Sequence, residues 1–228
     1  MLSRLIKVSA LVLGAGLVVA GCSPVKLGAA AVVGNERITV ATLNNEVTNL
    51  SRNAKLYPGT VQLTQAQETQ ETLTWLVRFK INDALARQAG ITVTQTQSDN
   101  ALNEIYNAAA SSAKAQGIKN VSINLILTAN GIPANLRGEV GRYQAIDDQF
   151  LLQANGGKAP ATQAQDTTVN DKLNKARCVA AKQLNIEVNP QYGRLDYTQY
   201  SIVASTSKVT QSAGPAPTAS PTGVAPAC

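Results

Sequence analysis

The sequence predicts a mainly α-helical body closed by a small sheet that joins its two ends. Three observations lead there. Apolar residues recur at three- and four-residue spacing through successive segments between residues 42 and 184. Thr-x-x-Gln pairs at Thr64/Gln67 and Thr94/Gln97 mark helix starts, and Gly90 marks a helix stop. Before the Pro-rich end, only the segments near Ala30 and Ile186 read as convincing strands.

The first segment, MLSRLIKVSALVLGAGLVVAGCS, has a basic start (Arg4, Lys7), an apolar run from Val8 to Ala20 and a small residue before Cys22. The run is too short to span a bilayer and reads as an export signal over residues 1–21. The tetrad Val19-Ala20-Gly21-Cys22 resembles the bacterial lipobox, which implies cleavage before Cys22 and acylation of its thiol; an ordinary secretory signal with a coincidental cysteine is the competing reading. Two or three acyl chains would anchor the product stably where one holds only marginally. Residues 22–29 then form a short anchored linker, and the expected location is the outer face of the bacterial cytoplasmic membrane.

The stretch AAVVGNERITVATLNNEV, from Ala30, reads as a strand, a two-residue turn and a helix. Leu43, Val47, Leu50 and Ala54 give the first helix its face, and YPGT stops it. The second helix runs from the Thr64 box to Gly90 with two stripes. Leu73, Val77, Ile81 and Leu85, flanked by Leu76 and Ala84, make one; Trp75 and Phe79 make the other. Burial on two sides predicts the central helix of the bundle. After the extended GITVT, a third helix from Thr94 to about Gln116 carries Leu102, Ile105, Tyr106 and Ala109.

A short helix, INLILTANG, breaks at Gly131, and Pro133 stands where a first helical turn tolerates it. The helix from Ala134 to Ala154 is expected to turn Leu136, Val140, Tyr143, Phe150 and Ala154 inward, with Asp147 and Asp148 on a solvated face. NGGKAPATQAQ reads as a loop. It lacks the preceding strand and following Ser or Thr that a phosphate loop needs. The last helix, from about Thr168, uses Val169, Leu173, Ala176, Ala180 and Leu184, and the extended IEVNPQYGRLD follows. The first strand is predicted to pair with this distant segment. Residues 30–203 then form one domain, and the Pro-, Ala- and Ser-rich residues 204–228 read as a disordered tail.

Composition narrows the chemistry. The 228 residues include no histidine, which excludes Ser-His-Asp and Cys-His nucleophile systems and nearly all catalytic zinc sites. The formal charge of +6 falls by two when Arg4 and Lys7 leave with the signal. The remaining Lys and Arg are scattered without the clusters or aromatic interleaving that nucleic acid requires. Of the three cysteines, Cys178 and Cys228 stay outside the cell, either bridged to each other or as two free thiols.

Four segments in order resemble the N-terminal chaperone domain of the SurA and PrsA foldases. They are AAVVGNERITVATLNNEV, LTWLVRFKINDALARQAGITVT, the Gly-Ile break before the helix from Pro133, and VNPQYGRLD. The resemblance covers nearly all of residues 30–203 and implies a helical bundle of the SurA/PrsA/trigger-factor-like type. Departures are informative. Full-length foldases insert a parvulin prolyl-isomerase domain before the closing helix and strand, and its site uses a pair of histidines; here only NGGKAPATQAQ occupies that place and histidine is absent. Ala41 stands where a capping Ser or Asp is common, and Leu195 where a Trp is common.

The resemblance implies a non-catalytic holdase that needs no cofactor or metal and binds unfolded or newly exported proteins through an adaptable apolar surface. Candidates for client contact are Trp75, Phe79, Tyr106 and Tyr143, although aromatics at helical spacing read more readily as core. The alternative function is an envelope adaptor for one dedicated partner. Oligomeric state stays open.

Overall fold

The computed structural model describes residues 28–59, 61–118 and 120–204. The predicted signal, the lipobox Cys22, Cys228 and most of the predicted tail lie outside the described residues. The chain is mainly helical with two small antiparallel sheets: β1 (Ala29–Val33), β2 (Glu36–Thr39), α1 (Val40–Ala54), α2 (Gln65–Ala89), α3 (Gln95–Ala115), α4 (Ile123–Ala129), α5 (Arg137–Ala154), α6 (Gln163–Gln183), β3 (Glu187–Val188), β4 (Arg194–Asp196) and β5 (Ser201–Val203). None of the described helices is long and apolar enough to cross a membrane.

The two ends meet as predicted. β1 pairs antiparallel with β3, Ala31 opposite Val188 and Val32 opposite Glu187. Asn189 extends the contact: its backbone N–H donates to Ala30 O (2.9 Å) and its side-chain amide to Ala29 O (3.2 Å). An Asn before Pro190 thereby ends one strand and ties down another.

β1 has a second partner that the sequence reading did not include. Glu36–Thr39, read as the approach to a helix, is a strand pairing with β1 across a Gly34-Asn35 loop, so the sheet order is β2-β1-β3. Gly34 has φ 61°, the conformation a II′ hairpin turn asks of its first central residue. Its N–H donates to Leu184 O at 2.6 Å, fastening the hairpin to the end of α6. The cap of α1 is consequently Thr39, whose Oγ1 accepts from the Thr42 N–H, and Ala41 already lies inside the helix.

Both Thr-x-x-Gln boxes form, at Thr64/Gln67 and Thr94/Gln97, and Gly90 closes α2 in the left-handed region. Pro133 precedes a 3-10 turn, Ala134–Leu136, and α5 proper begins at Arg137. α6 begins at Gln163, capped by Thr162, five residues before the expected start; the Thr and Gln of this stretch have ordinary helix propensity but no apolar periodicity to announce them. β4 and β5 form a hairpin on α2. Ile202 N–H donates to the buried Thr74 Oγ1 (2.8 Å), and Arg78 Nε to Tyr200 O (3.0 Å).

α2 is the centre, packing against α1, α5, α6, β1 and β5. Its Leu73, Val77, Ile81 and Leu85 are buried in the main core with Leu43, Ile146, Leu173, Ala180, Ile38 and Leu195. A second cluster joins Phe79, Leu127, Ile132 and Val140, with Trp75, Tyr143, Leu102 and Leu136 half-buried around it. Gly141 lets α5 approach α3: a Cβ there would lie 2.4 Å from Ser98 O. Of the inward set expected of α5, Val140 is buried while Leu136, Tyr143, Phe150 and Ala154 are only half-buried, and Ile146 takes the central place.

One expectation is reversed. Asp147 is not on a solvated face; it is buried at 7 % exposure and ion-paired to Arg177 of α6. The sequence offered no sign of this, because the partner that makes burial tolerable is thirty residues away.

Candidate functional site

The aromatic candidates do not form an open surface. Trp75, Phe79 and Tyr143 come together, with ring centroids 5.8 to 6.2 Å apart, in the second cluster between α2 and α5. Phe79 is 6 % exposed, while Trp75 and Tyr143 are half-buried. The Trp75 indole N–H donates to Asn130 O (3.2 Å), holding the α4 end against α2. Tyr106 is not part of this group. It is half-buried on α3, and its hydroxyl donates to Val121 O at 3.3 Å.

Beside this cluster lies a polar knot that joins three helices. Arg177 of α6 pairs with Asp147 of α5, its Nε donates to Asn82 Oδ1 of α2 (3.3 Å), and Asn82 Nδ2 donates to Tyr143 O (2.9 Å). The Arg177 guanidinium also lies 4.9 Å from the centre of the Tyr143 ring. Burial pushes the Asp147 carboxyl above its ordinary range, and Arg177 offsets this only in part. Burial likewise raises the Tyr143 hydroxyl. These contacts fix the positions of the three helices, and the one polar atom of the knot left buried without a hydrogen-bond partner is Asp147 Oδ1.

The opening suited to a ligand is a cleft of about 530 Å³ between β2, α2 and the start of α5. Ile38, Leu76, Phe79, Ala86, Ile91 and Leu136 form its apolar floor. Its rim is charged and largely self-paired: Lys80 to Glu36 at 2.6 Å and Arg142 to Asp83 at 3.0 Å, with Arg87 and Glu139 alongside. The hydrogen bond and charge of Lys80 hold the Glu36 carboxyl below its ordinary range. A second opening of about 400 Å³, lined by Val33, Gly34, Gln183 and Leu184, shares Glu36, Lys80 and Arg87 with the first. Together they run along one side of α2. Such a surface buries a few apolar side chains and offers exchangeable charges at its border, which is a binding chemistry.

Of the candidates read from the sequence, only Phe79 lines this cleft. Leu76, Lys80, Asp83 and Arg87 follow at helical spacing on α2, a pattern that reads as a solvated face until β2 and α5 are seen to wall it in. Cys178 is buried on α6 and disulfide-bonded, with the other two cysteines, Cys22 and Cys228, both outside the described residues. Among the described residues no group of three or more His, Cys, Asp or Glu could hold a metal ion.

Comparison of the chain with protein-family models gives no match, and comparisons with curated proteins and with solved structures find no similar protein.

Proposed function

We propose that this chain is a lipid-anchored extracytoplasmic holdase of the SurA/PrsA N-terminal type, which binds unfolded or newly exported polypeptides at the outer face of the membrane without isomerising prolines. The observation that carries this reading is the cleft along α2, with its apolar floor of Ile38, Leu76 and Leu136 and its self-paired rim. An apolar floor accepts many sequences. Rim charges that already have partners lose little when no ligand charge replaces them, so binding is sequence-tolerant and release is fast. The joining of the two chain ends through β1 and β3 supports the same reading, since the resemblance expects that closure. The short connection from α5 to α6, residues 155–162, is far too small for an inserted isomerase domain.

The test is aggregation of an unrelated unfolded protein in the presence of the chain. Several-fold molar excess should suppress aggregation while leaving the rate of prolyl isomerisation unchanged, and Leu76→Glu, at the half-buried floor, should abolish suppression without unfolding the chain. Undiminished aggregation with the wild-type chain refutes the reading. The modest size of the cleft favours a second one, in which it takes a short segment of one dedicated envelope partner. Crosslinking from Leu76 in intact cells would then give one dominant adduct in place of many.

A further inference from the structure

We infer that the end of the bundle formed by the α1–α2 and α3–α4 loops is a membrane-contact tip that takes an anionic lipid surface. Leu56, 66 % exposed, and Ile118, 50 % exposed, are the exposed large apolar side chains among the described residues, and they sit on these two loops. The loops are brought together by the Tyr57 hydroxyl, 3.2 Å from Ser122 Oγ, and the second is held to α3 by the Tyr106 hydroxyl on Val121 O. Apolar side chains scattered singly over a surface need no explanation, but two on adjoining loops at one end do.

The exposed charge around them is positive; Glu68, which faces Arg52 and Lys55, is buried at 8 % exposure and accepts from the Ser51 hydroxyl. Residues 47–67 and 105–138 contain no Asp or Glu, whereas Arg52, Lys55 and Lys114 are exposed beside Leu56 and Ile118. Apolar side chains flanked by Lys and Arg fit the boundary of an anionic bilayer, where Leu56 and Ile118 enter the headgroup layer and the cations stay with the phosphates. An acidic protein partner would meet the same cations, but the hollow of about 410 Å³ between the end of α1 and the start of α2 is lined by neither Leu56 nor Ile118, so the two apolar side chains stand outside the concavity that would fix a protein's register.

The position of the tip agrees with the proposed anchor, and this part of the inference rests on that reading. The start of α1 adjoins Gly28, Val40 N–H donating to Gly28 O at 2.9 Å. Residues 22–27 reach at most about 20 Å, and α1 is about 22 Å long. With α1 lying along the bilayer, the anchored end and the tip touch the same surface. The bundle is then held at two points, and its orientation is set.

The test uses the full chain isolated from membranes and placed in vesicles of phosphatidylcholine with or without phosphatidylglycerol, some of the lipid brominated. Leu56→Trp and Ile118→Trp each add a fluorophore to the background of the native Trp75; Thr96→Trp, exposed at the opposite end of α3, is the control. In anionic vesicles the added emission at 56 and 118 should fall roughly twofold, the control should change by less than about a tenth, and high salt should weaken the effect. Equal quenching at all three positions, or none at 56 and 118, overturns the inference. So does photocrosslinking from 56 and 118 to polypeptide with no lipid quenching, which would make the tip a protein-binding surface. The mass of the N-terminal peptide reports acylation of Cys22 independently: quenching at the tip of an unacylated chain keeps the tip and removes the anchor, and acylation without quenching does the reverse.

Discussion

The two sides of α2 are packed by different means. On one side Leu73, Val77, Ile81 and Leu85, at most 2 % exposed, lie in a core whose buried members are all aliphatic, with Phe150, Tyr192, Tyr197 and Tyr200 packed only at its margin. On the other, Trp75, Phe79 and Tyr143 pack ring against ring, two of the three stay half-exposed, and the buried knot of Asn82, Asp147 and Arg177 stands beside them. Aliphatic packing supplies stability that depends on volume alone. The aromatic side gives up part of that burial, and the helices around it are positioned by directed contacts instead. The cleft opens between the two, its floor made by Ile38, Leu76, Ala86 and Ile91 of the main core and by Phe79 and Leu136 of the aromatic cluster. A binding surface needs apolar groups that are held in place without being fully consumed by the core, and Leu76 and Leu136, half-buried on that floor, one from each cluster, meet that condition.

The largest expected effect falls on the knot. Arg177→Ala leaves the Asp147 carboxylate buried without its counter-charge and should cost about 3–5 kcal/mol in urea unfolding. Adding Asp147→Asn to that variant should recover most of the loss, because the penalty belongs to the uncompensated charge. If the double variant is no more stable than Arg177→Ala, the knot acts by packing volume, and the contrast between the two sides of α2 disappears.

Next comes the direct comparison of the sides. Leu73→Ala, fully buried, should cost about 3 kcal/mol, within the range for large-to-small changes in aliphatic cores. Trp75→Ala removes a larger side chain yet should cost less, about 2 kcal/mol, since half of it already faces water and its hydrogen bond to Asn130 is a single contact. It should, however, weaken the proposed holdase activity more than Leu73→Ala at equal stability, because it removes the ring that packs against Phe79 on the cleft floor. A Trp75 variant less stable than the Leu73 variant would make the aromatic cluster the principal core.

These two sides also differ in how well the sequence reveals them. The aliphatic stripe, both Thr-x-x-Gln boxes and Gly90 are decided by residues within one or two turns of each other, and they are legible. The pairing of β1 with the segment near Val188 is legible for another reason: few other segments could partner it. β2 is not, since Glu-Arg-Ile-Thr carries one apolar residue and its strand is fixed by the Gly34 turn and the contact to Leu184. Trp75 and Phe79 stand out in the sequence, but spacing cannot say whether a ring faces core or ligand. The knot and the cleft depend on side chains from three separate elements each, which no local pattern encodes.

The smallest effect, and the most diagnostic, is the pH dependence of stability. Asp147 has its folded pKa raised above the ordinary 3.8, so above that pH the unfolded chain gives up its proton first and the fold loses stability as pH rises through the folded value. Glu36 has its folded pKa lowered below the ordinary 4.5 by Lys80, so its contribution is present above that pH and is lost as pH falls. The variants Asp147→Asn and Glu36→Gln remove these contributions one at a time. Relative to wild type, the melting temperature of Asp147→Asn should climb as pH is raised from 3.8 upward, while that of Glu36→Gln should drop as pH is raised through 4.5. The Glu36 effect should stay near 1–2 °C, about 0.5 kcal/mol, because the pair is exposed and screened. Opposite slopes mean that the inner carboxylate is held at a cost for the sake of helix placement while the rim carboxylate is weakly favourable and exchangeable. Parallel slopes would mean that Arg177 outweighs burial, and the knot would then be a stabilising pair on the same footing as the rim.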